Sequence, residues 1–309
     1  MISQQTYIIT KSVQEASQLA DQYKNDFKFI AGGTDVMVNK YQGNQTAQCL
    51  IDISKIDELK GVSLQGNFLR IGSLEKLATL AKNELILKHV PVLSEAILSV
   101  GSPLIRQAAT IGGNVLCENR CLYYNQSEWW RESVGYCLKC DGDICIATQG
   151  KNACFSELVS DSAPAFIALG ASIEYQIGNE TKQVPLESIY TGDGVKPRNI
   201  PYNAIVKALL IPVKKHRAFF AKLRERESLE FTSLTCCLVR DEQDNLRIAL
   251  AGVDPKPVVI DGKISDSIDD LISKAVKGAR TVDNDMYSRK YRREMIGVYI
   301  RRGIEKVTV

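Results

Sequence analysis

Six of the nine cysteines fall between Cys117 and Cys154, in the order Cys117, Cys121, Cys137, Cys140, Cys145, Cys154. The segment that holds them, about 117–156, has few periodic signals. A stretch of that length inside a compact unit is usually functional or disordered. Running straight into it is Thr110-Ile111-Gly112-Gly113-Asn114, a hydroxyl, two glycines and an amide. Soft thiolates select zinc or iron–sulfur clusters, while amides unshielded by a Cβ suit a phosphate. A metal centre beside a nucleotide-like cofactor implies electron transfer.

The bulk numbers exclude more than they assign. The chain has 309 residues, enough for two or three units with their own cores. Its formal net charge of +3 is built from interspersed signs, which gives no argument for nucleic acid. The basic stretch Arg289–Lys306 alternates with apolar residues and reads as a solvated helix face. No charged-then-apolar leader and no apolar run of membrane-spanning length is visible, so a cytoplasmic protein with no membrane contact is expected. There thiols stay reduced, which favours ligands or redox groups over disulfides. His89 and His216, the two histidines, are far apart and offer little to a histidine-based mechanism.

The pattern of elements is α+β, without the long regular alternation of a doubly wound sheet. Ser12-Val13-Gln14-Glu15 is a capping box, and Val13, Ala16, Leu19, Ala20 and Tyr23 then recur at helical spacing. Phe27–Ala31, Leu50–Ile53 and Phe68–Gly72 read as strands, with helices after Ser73 and over Val92–Val100. Ala171–Ile177 is a further strand. A Pro- and Gly-punctuated connection near Thr191–Pro201 suggests a domain boundary. Beyond it Ile205–Pro212, Ala218–Arg224, Leu234–Arg240 and Arg247–Ala251 suggest a small sheet, with helices over Asp266–Gly278 and Tyr287–Lys306 packed on it.

Three motifs carry chemistry. Phe29-Ile30-Ala31-Gly32-Gly33-Thr34-Asp35 sets two glycines directly after a strand, where successive amides form an anion nest and Thr34 adds a hydroxyl. A Gly-Gly turn alone is more often only a turn, but a second one at Thr110–Asn114 allows the two to converge on a pyrophosphate. Ser160-Asp161-Ser162-Ala163-Pro164 offers a carboxylate to a sugar-like chain, or else a plain helix N-cap. The cysteine spacing, Cys121-x15-Cys137-x7-Cys145-x8-Cys154 with Cys117 and Cys140 besides, weighs iron–sulfur and zinc about equally. A redox dithiol at Cys137/Cys140 is a third option, though no thioredoxin-like elements flank it. Trp129-Trp130 argue for order and are of a size to pack around a centre, although a local apolar cluster is the plainer reading. Cys49, Cys236 and Cys237 lie in strand-like contexts and read as packing residues.

Taken together, Ala31–Asp35, Thr110–Asn114 and Ser160–Pro164, followed by Ser288-Arg289-Lys290-Tyr291-Arg292 near the C-terminus, resemble the FAD-binding subunit of the molybdenum hydroxylase (xanthine oxidase) family. The likeness covers nearly the whole chain. It implies a PCMH-type FAD-binding domain of two α+β subdomains over 1–190, split near 55, with the cysteine-rich insertion about 117–156. A C-terminal sheet-and-helix domain would occupy 191–309. Asn119-Arg120-Cys121-Leu122-Tyr123-Tyr124-Asn125-Gln126-Ser127-Glu128-Trp129-Trp130-Arg131 and Gly135-Tyr136-Cys137-Leu138-Lys139 look like the β subunit of 4-hydroxybenzoyl-CoA reductase, whose insertion carries a 4Fe–4S cluster. Matched position by position, the ligands would be Cys121, Cys137, Cys145 and Cys154. Cys140 and Cys117 are set aside, with a one-partner swap left open. The same matching places Phe29, Ile30, Ala31, Gly32, Gly33, Thr34, Asp35 and Val36, with Thr110, Gly113, Asn114, Leu116 and Cys117, along the FAD pyrophosphate and ribityl chain. Asp161 would meet the ribityl hydroxyls, and Val206 and Lys222 would approach the ring from the C-terminal domain. For Lys222, surface solvation is an equal alternative.

The resemblance implies a heterotrimer: this chain, a molybdopterin-binding large subunit, and a small subunit with two 2Fe–2S clusters. Electrons would enter from a low-potential donor such as ferredoxin, and the complex would remove a phenolic hydroxyl from an aromatic CoA thioester reductively. An alternative keeps the flavin and the cluster but reverses the electron flow, serving a hydroxylase or dehydrogenase of a purine, N-heterocycle or aldehyde. Outside enzymes, a zinc-stabilised interaction protein is the rival.

Overall fold

A computed structural model describes residues 6–309 and arranges them as three sheets. The first contains β1 (Thr6–Ile9), β2 (Phe27–Ile30) and β3 (Cys49–Asp52), all parallel, in the order β1-β3-β2. Parallel pairing needs crossovers, supplied by the helices Val13–Tyr23 and Val36–Tyr41. The central strand β3 is buried at all four positions, as a parallel strand covered on both faces must be. The capping box forms with one shift: Ser12 Oγ accepts from Glu15 N, and the Glu15 carboxylate accepts from Lys11 N at 2.8 Å.

The second sheet contains β4 (Val62–Gln65), β5 (Phe68–Gly72), β6 (Ser172–Ile177), β7 (Glu180–Pro185) and β8 (Ile205–Pro212). All neighbours are antiparallel, in the order β4-β5-β8-β6-β7. The third contains β9 (His216–Leu223), β10 (Leu234–Asp241), β11 (Asn245–Ala251) and β12 (Val258–Lys263), an antiparallel meander. The sequence assigned 205–212 to the C-terminal sheet, with a boundary near 191. Instead β8 is the middle strand of the second sheet, so that sheet runs on to Pro212. Six of its eight residues are buried, which suits a central position, but an apolar strand carries no label for the sheet it joins.

Adjacent residues of a strand face opposite ways, and β10 uses both faces. Cys236 and Leu238 pack against the helices Ile268–Gly278 and Arg289–Thr308. Cys237 and Val239 join the main core, which also contains the fully buried helix Ser162–Ala168 and the strands β5, β6 and β8. One apolar core therefore extends from the second sheet into the third. Among the described residues no helix is long and apolar enough to cross a membrane.

Candidate functional site

The two glycine turns meet. Gly32 leaves β2 so close to the chain before the second turn that a Cβ there would lie 2.1 Å from the Ala108 carbonyl oxygen. Its neighbour Gly33 has φ +73°, a conformation that glycine adopts freely. In the second turn Thr110 Oγ accepts from Gly113 N at 3.2 Å and so caps the helix Ile111–Val115. Gly112 is packed against Ser73, where a Cβ would come within 2.8 Å. Gly113 differs: it is exposed, and a Cβ there would meet only Thr110 Oγ at 3.0 Å. The space beyond Gly113 is thus open to a ligand, while Gly32 and Gly112 serve the approach of backbone to backbone. Around these turns Phe29 and Ala31 are half-buried, Ile30 is buried, and Thr34, Val36, Leu116 and Cys117 are half-buried.

The third motif closes on the second. Asn114 Oδ1 accepts from Ser160 Oγ at 2.9 Å and Ser162 Oγ at 2.6 Å. Between those serines Asp161 caps no helix with its side chain; its two carboxylate oxygens take Lys222 Nζ at 2.7 Å and Thr235 Oγ at 3.2 Å. Burial pushes the Asp161 carboxyl up, and Lys222 opposes that shift. Lys222 is 3% exposed and also donates to the carbonyls of Ser99 and Glu230, so it is not a solvated surface lysine. Val206 is a correction of another kind. It sits in β8, buried in the main core, and its carbonyl accepts from Ser73 Oγ at 2.6 Å, Ser73 being the residue packed against Gly112. It does not approach from the C-terminal sheet.

The insertion is a closed excursion. At its base Arg120 and Glu157 exchange both backbone hydrogen bonds, at 2.9 and 2.7 Å. The Arg120 guanidinium pairs with Asp35 of the first glycine turn, and Glu157 with the fully buried Arg292 of the C-terminal helix. Burial pushes the Glu157 carboxyl up to about 8 against the opposing pull of Arg292. Above that base, Cys121, Cys137, Cys145 and Cys154 line a single cavity with Tyr123, Tyr124, Leu138, Lys139, Ile146, Phe155 and Asn284. The room it leaves, about 10 Å³, is about that needed for a single water molecule. Neither Cys117 nor Cys140 is among the lining residues, and all nine cysteines are free thiols.

Each lining thiol is held by a turn rather than a helix or strand. The Cys137 carbonyl accepts from Cys140 N at 2.7 Å and Gly142 N at 3.0 Å. Only glycine fits at 142, because a Cβ would lie 1.8 Å from the Tyr136 carbonyl oxygen. Cys145 is held by a bond from its N to Gly150 O at 2.7 Å, and Cys154 O accepts from Gly194 N at 2.9 Å. Burial pushes Cys117 and Cys121 up to about 12 and raises Cys154, whereas a hydrogen bond from Cys140 brings Cys137 down to about 6. Among the described residues no three histidine, cysteine or acidic side chains are closed around a single ion position. Four cysteines nonetheless share one mainly apolar lining, and soft sulfur donors are the chemistry that a thiolate-bound centre requires.

Several members of the site were not visible in the sequence. Trp129 is 73% exposed and neither tryptophan lines the cavity; Tyr123, Tyr124 and Phe155 do. The connection 191–201, read as a domain boundary, packs on the insertion. From it Arg198 donates to Cys117 O at 2.6 Å and Asn119 Oδ1 at 3.2 Å, and stacks 4.6 Å from the Tyr190 ring centroid. Gly194 presses so closely that a Cβ would lie 2.7 Å from Cys154 Sγ.

With this geometry in place, the comparisons with known proteins give the class. Residues 3–214 match the family described as FAD binding domain in molybdopterin dehydrogenase. The chain is 29% identical over 246 residues to the aldehyde oxidoreductase FAD-binding subunit PaoB of Escherichia coli K12, covering 74% of this chain and 76% of that one. It is 27% identical over 227 residues to the nicotinate dehydrogenase FAD-subunit of Eubacterium barkeri, covering 72% and 64%. The structure superposes on a chain of the reconstituted CO dehydrogenase from Oligotropha carboxidovorans with a TM-score of 0.78 at 20% identity. That match covers 98% of this chain and 97% of the other, a likeness of fold. The chain therefore belongs to the family of FAD-binding domains of molybdopterin dehydrogenases. It is an FAD-binding oxidoreductase subunit with the mixed α and β fold of that family.

Proposed function

We propose that this chain is the electron-transfer subunit of a molybdenum hydroxylase-type complex and carries a 4Fe–4S cluster in addition to FAD. The observation that carries this reading is the gathering of Cys121, Cys137, Cys145 and Cys154 around one cavity, on an excursion whose base is ion-paired to Asp35 of the flavin turn. When bound, the flavin supplies conversion between one- and two-electron steps, and the cluster a one-electron relay. The protein's part is to hold and insulate. The Gly33 turn offers amides to the pyrophosphate, the open space at Gly113 admits the ligand close to the backbone, and Asp161 with Lys222 lies beside the turn through Asn114. The apolar lining excludes water from the thiols. Because the thiols are carried on turns, holding a cage there would require no helix or strand to break.

The partners on this reading are a molybdopterin-binding large subunit and a small subunit with two 2Fe–2S clusters. The cysteine insertion favours reductive dehydroxylation of an aromatic CoA thioester, fed by a low-potential donor such as ferredoxin. The names of the relatives, an aldehyde oxidoreductase and a nicotinate dehydrogenase, favour the opposite direction, oxidation of an aldehyde or N-heterocycle. Assay of the isolated complex with 4-hydroxybenzoyl-CoA and reduced ferredoxin, against nicotinate or an aldehyde with an electron acceptor, separates the two. For the cluster itself, C145S is expected to lose the iron and keep most of the FAD; unchanged iron content overturns the ligand assignment.

A further inference from the structure

We propose that Lys139 is the buried cation that sets the reduction potential of the centre in the thiol cavity and couples it to the flavin turn. The inference rests on the cluster reading above. Lys139 lies between Cys137 and Cys140, its side chain is 5% exposed, and it lines the thiol cavity. It also lines a second, polar cavity of about 190 Å³, with Lys28, Asp35, Asn39, Glu118 and Tyr124. Lys139 and Tyr124 are thus the partition between the two spaces; the ammonium stands 4.9 Å from the tyrosine ring centroid.

The ammonium donates to Glu118 Oε2 at 3.4 Å and Asn119 O at 3.3 Å. Glu118 N donates in turn to Asp35 Oδ2 at 3.1 Å. A continuous polar series, Lys139–Glu118–Asp35, therefore runs from the thiol wall to the first glycine turn. The charges along it do not cancel. Asp35 is paired with Arg120, but Glu118 alone faces both Lys139 and Lys28, the latter at 3.7 Å, so the group is net positive. Burying an ammonium costs desolvation energy that a neutral side chain of the same length avoids, so packing alone does not account for it.

A four-thiolate centre becomes more negative by one charge when it accepts an electron. A buried cation in its wall stabilises that reduced form over the oxidised one. Glu118, one residue further out, acts in the opposite sense. The step is addition of one electron from an external reductant, dithionite in the test, with no bond made or broken.

The test is potentiometry followed by electron paramagnetic resonance on anaerobically purified full chain, comparing wild type with K139Q, K139R and E118Q after iron analysis of each. K139Q is expected to shift the reduction equilibrium at least tenfold toward the oxidised form, about 59 mV for a one-electron couple. K139R should stay with wild type, and E118Q should move the other way. Wild type without iron overturns the cluster reading itself. Iron-loaded K139Q at the wild-type potential overturns the role of Lys139 and leaves the cluster standing. If K139Q fails to retain iron, E118Q decides: a potential unchanged or lowered contradicts the proposal. Both variants moving in the same direction, the mark of loosened packing, contradicts it too.

Discussion

Glycines in this site look alike in sequence and do different work. At Gly113 the added Cβ would meet only a hydroxyl, so G113V is expected to leave the apoprotein folded and remove FAD from it. Flavin absorbance and circular dichroism of the purified variant check both halves. At Gly32 the same change drives the new Cβ into the Ala108 carbonyl, and folding is what suffers. Gly194 gives a third outcome. G194A pushes a Cβ toward Cys154 Sγ and Ser156 Oγ, 2.7 and 2.2 Å away, so iron loading should fall severalfold while FAD is retained, as a metal-to-flavin ratio would show. Sequence reading found Gly32, Gly33 and Gly113 because paired glycines after a strand are a local signal. It missed Gly194 and Arg198, whose partners Cys154 and Cys117 are tens of residues away along the chain.

Local patterns defined most of the elements, and pairing of distant ones was what they left open. The first helix, its cap and the two C-terminal helices were legible from spacing and from Ser12 and Glu15. The membership of β8 was not, since its partners β5 and β6 lie on either side of the insertion in sequence. A fragment ending at residue 190 would therefore lack the middle strand of its own sheet and expose the edges of β5 and β6. It is expected to aggregate on expression, whereas extension through residue 213 restores the pairing; size-exclusion chromatography of the two fragments compares them. A monodisperse shorter fragment would show that β8 is dispensable.

At the scale of the molecule, three sheets bring motifs from opposite ends of the chain to one place. The first glycine turn follows β2, the second opens the helix Ile111–Val115, Lys222 and Thr235 come from the third sheet, and the thiols from an excursion tied down by Arg120, Glu157 and Arg292. That arrangement ties the four-cysteine cavity, through the Arg120–Asp35 ion pair, to the first glycine turn. The most direct test is iron, zinc and flavin analysis, with a visible spectrum, of anaerobically purified protein. The account predicts a brown-yellow protein with an iron-to-flavin ratio of about four to one, the content of one cluster. Zinc in place of iron, or flavin alone from cells able to mature clusters, would contradict it.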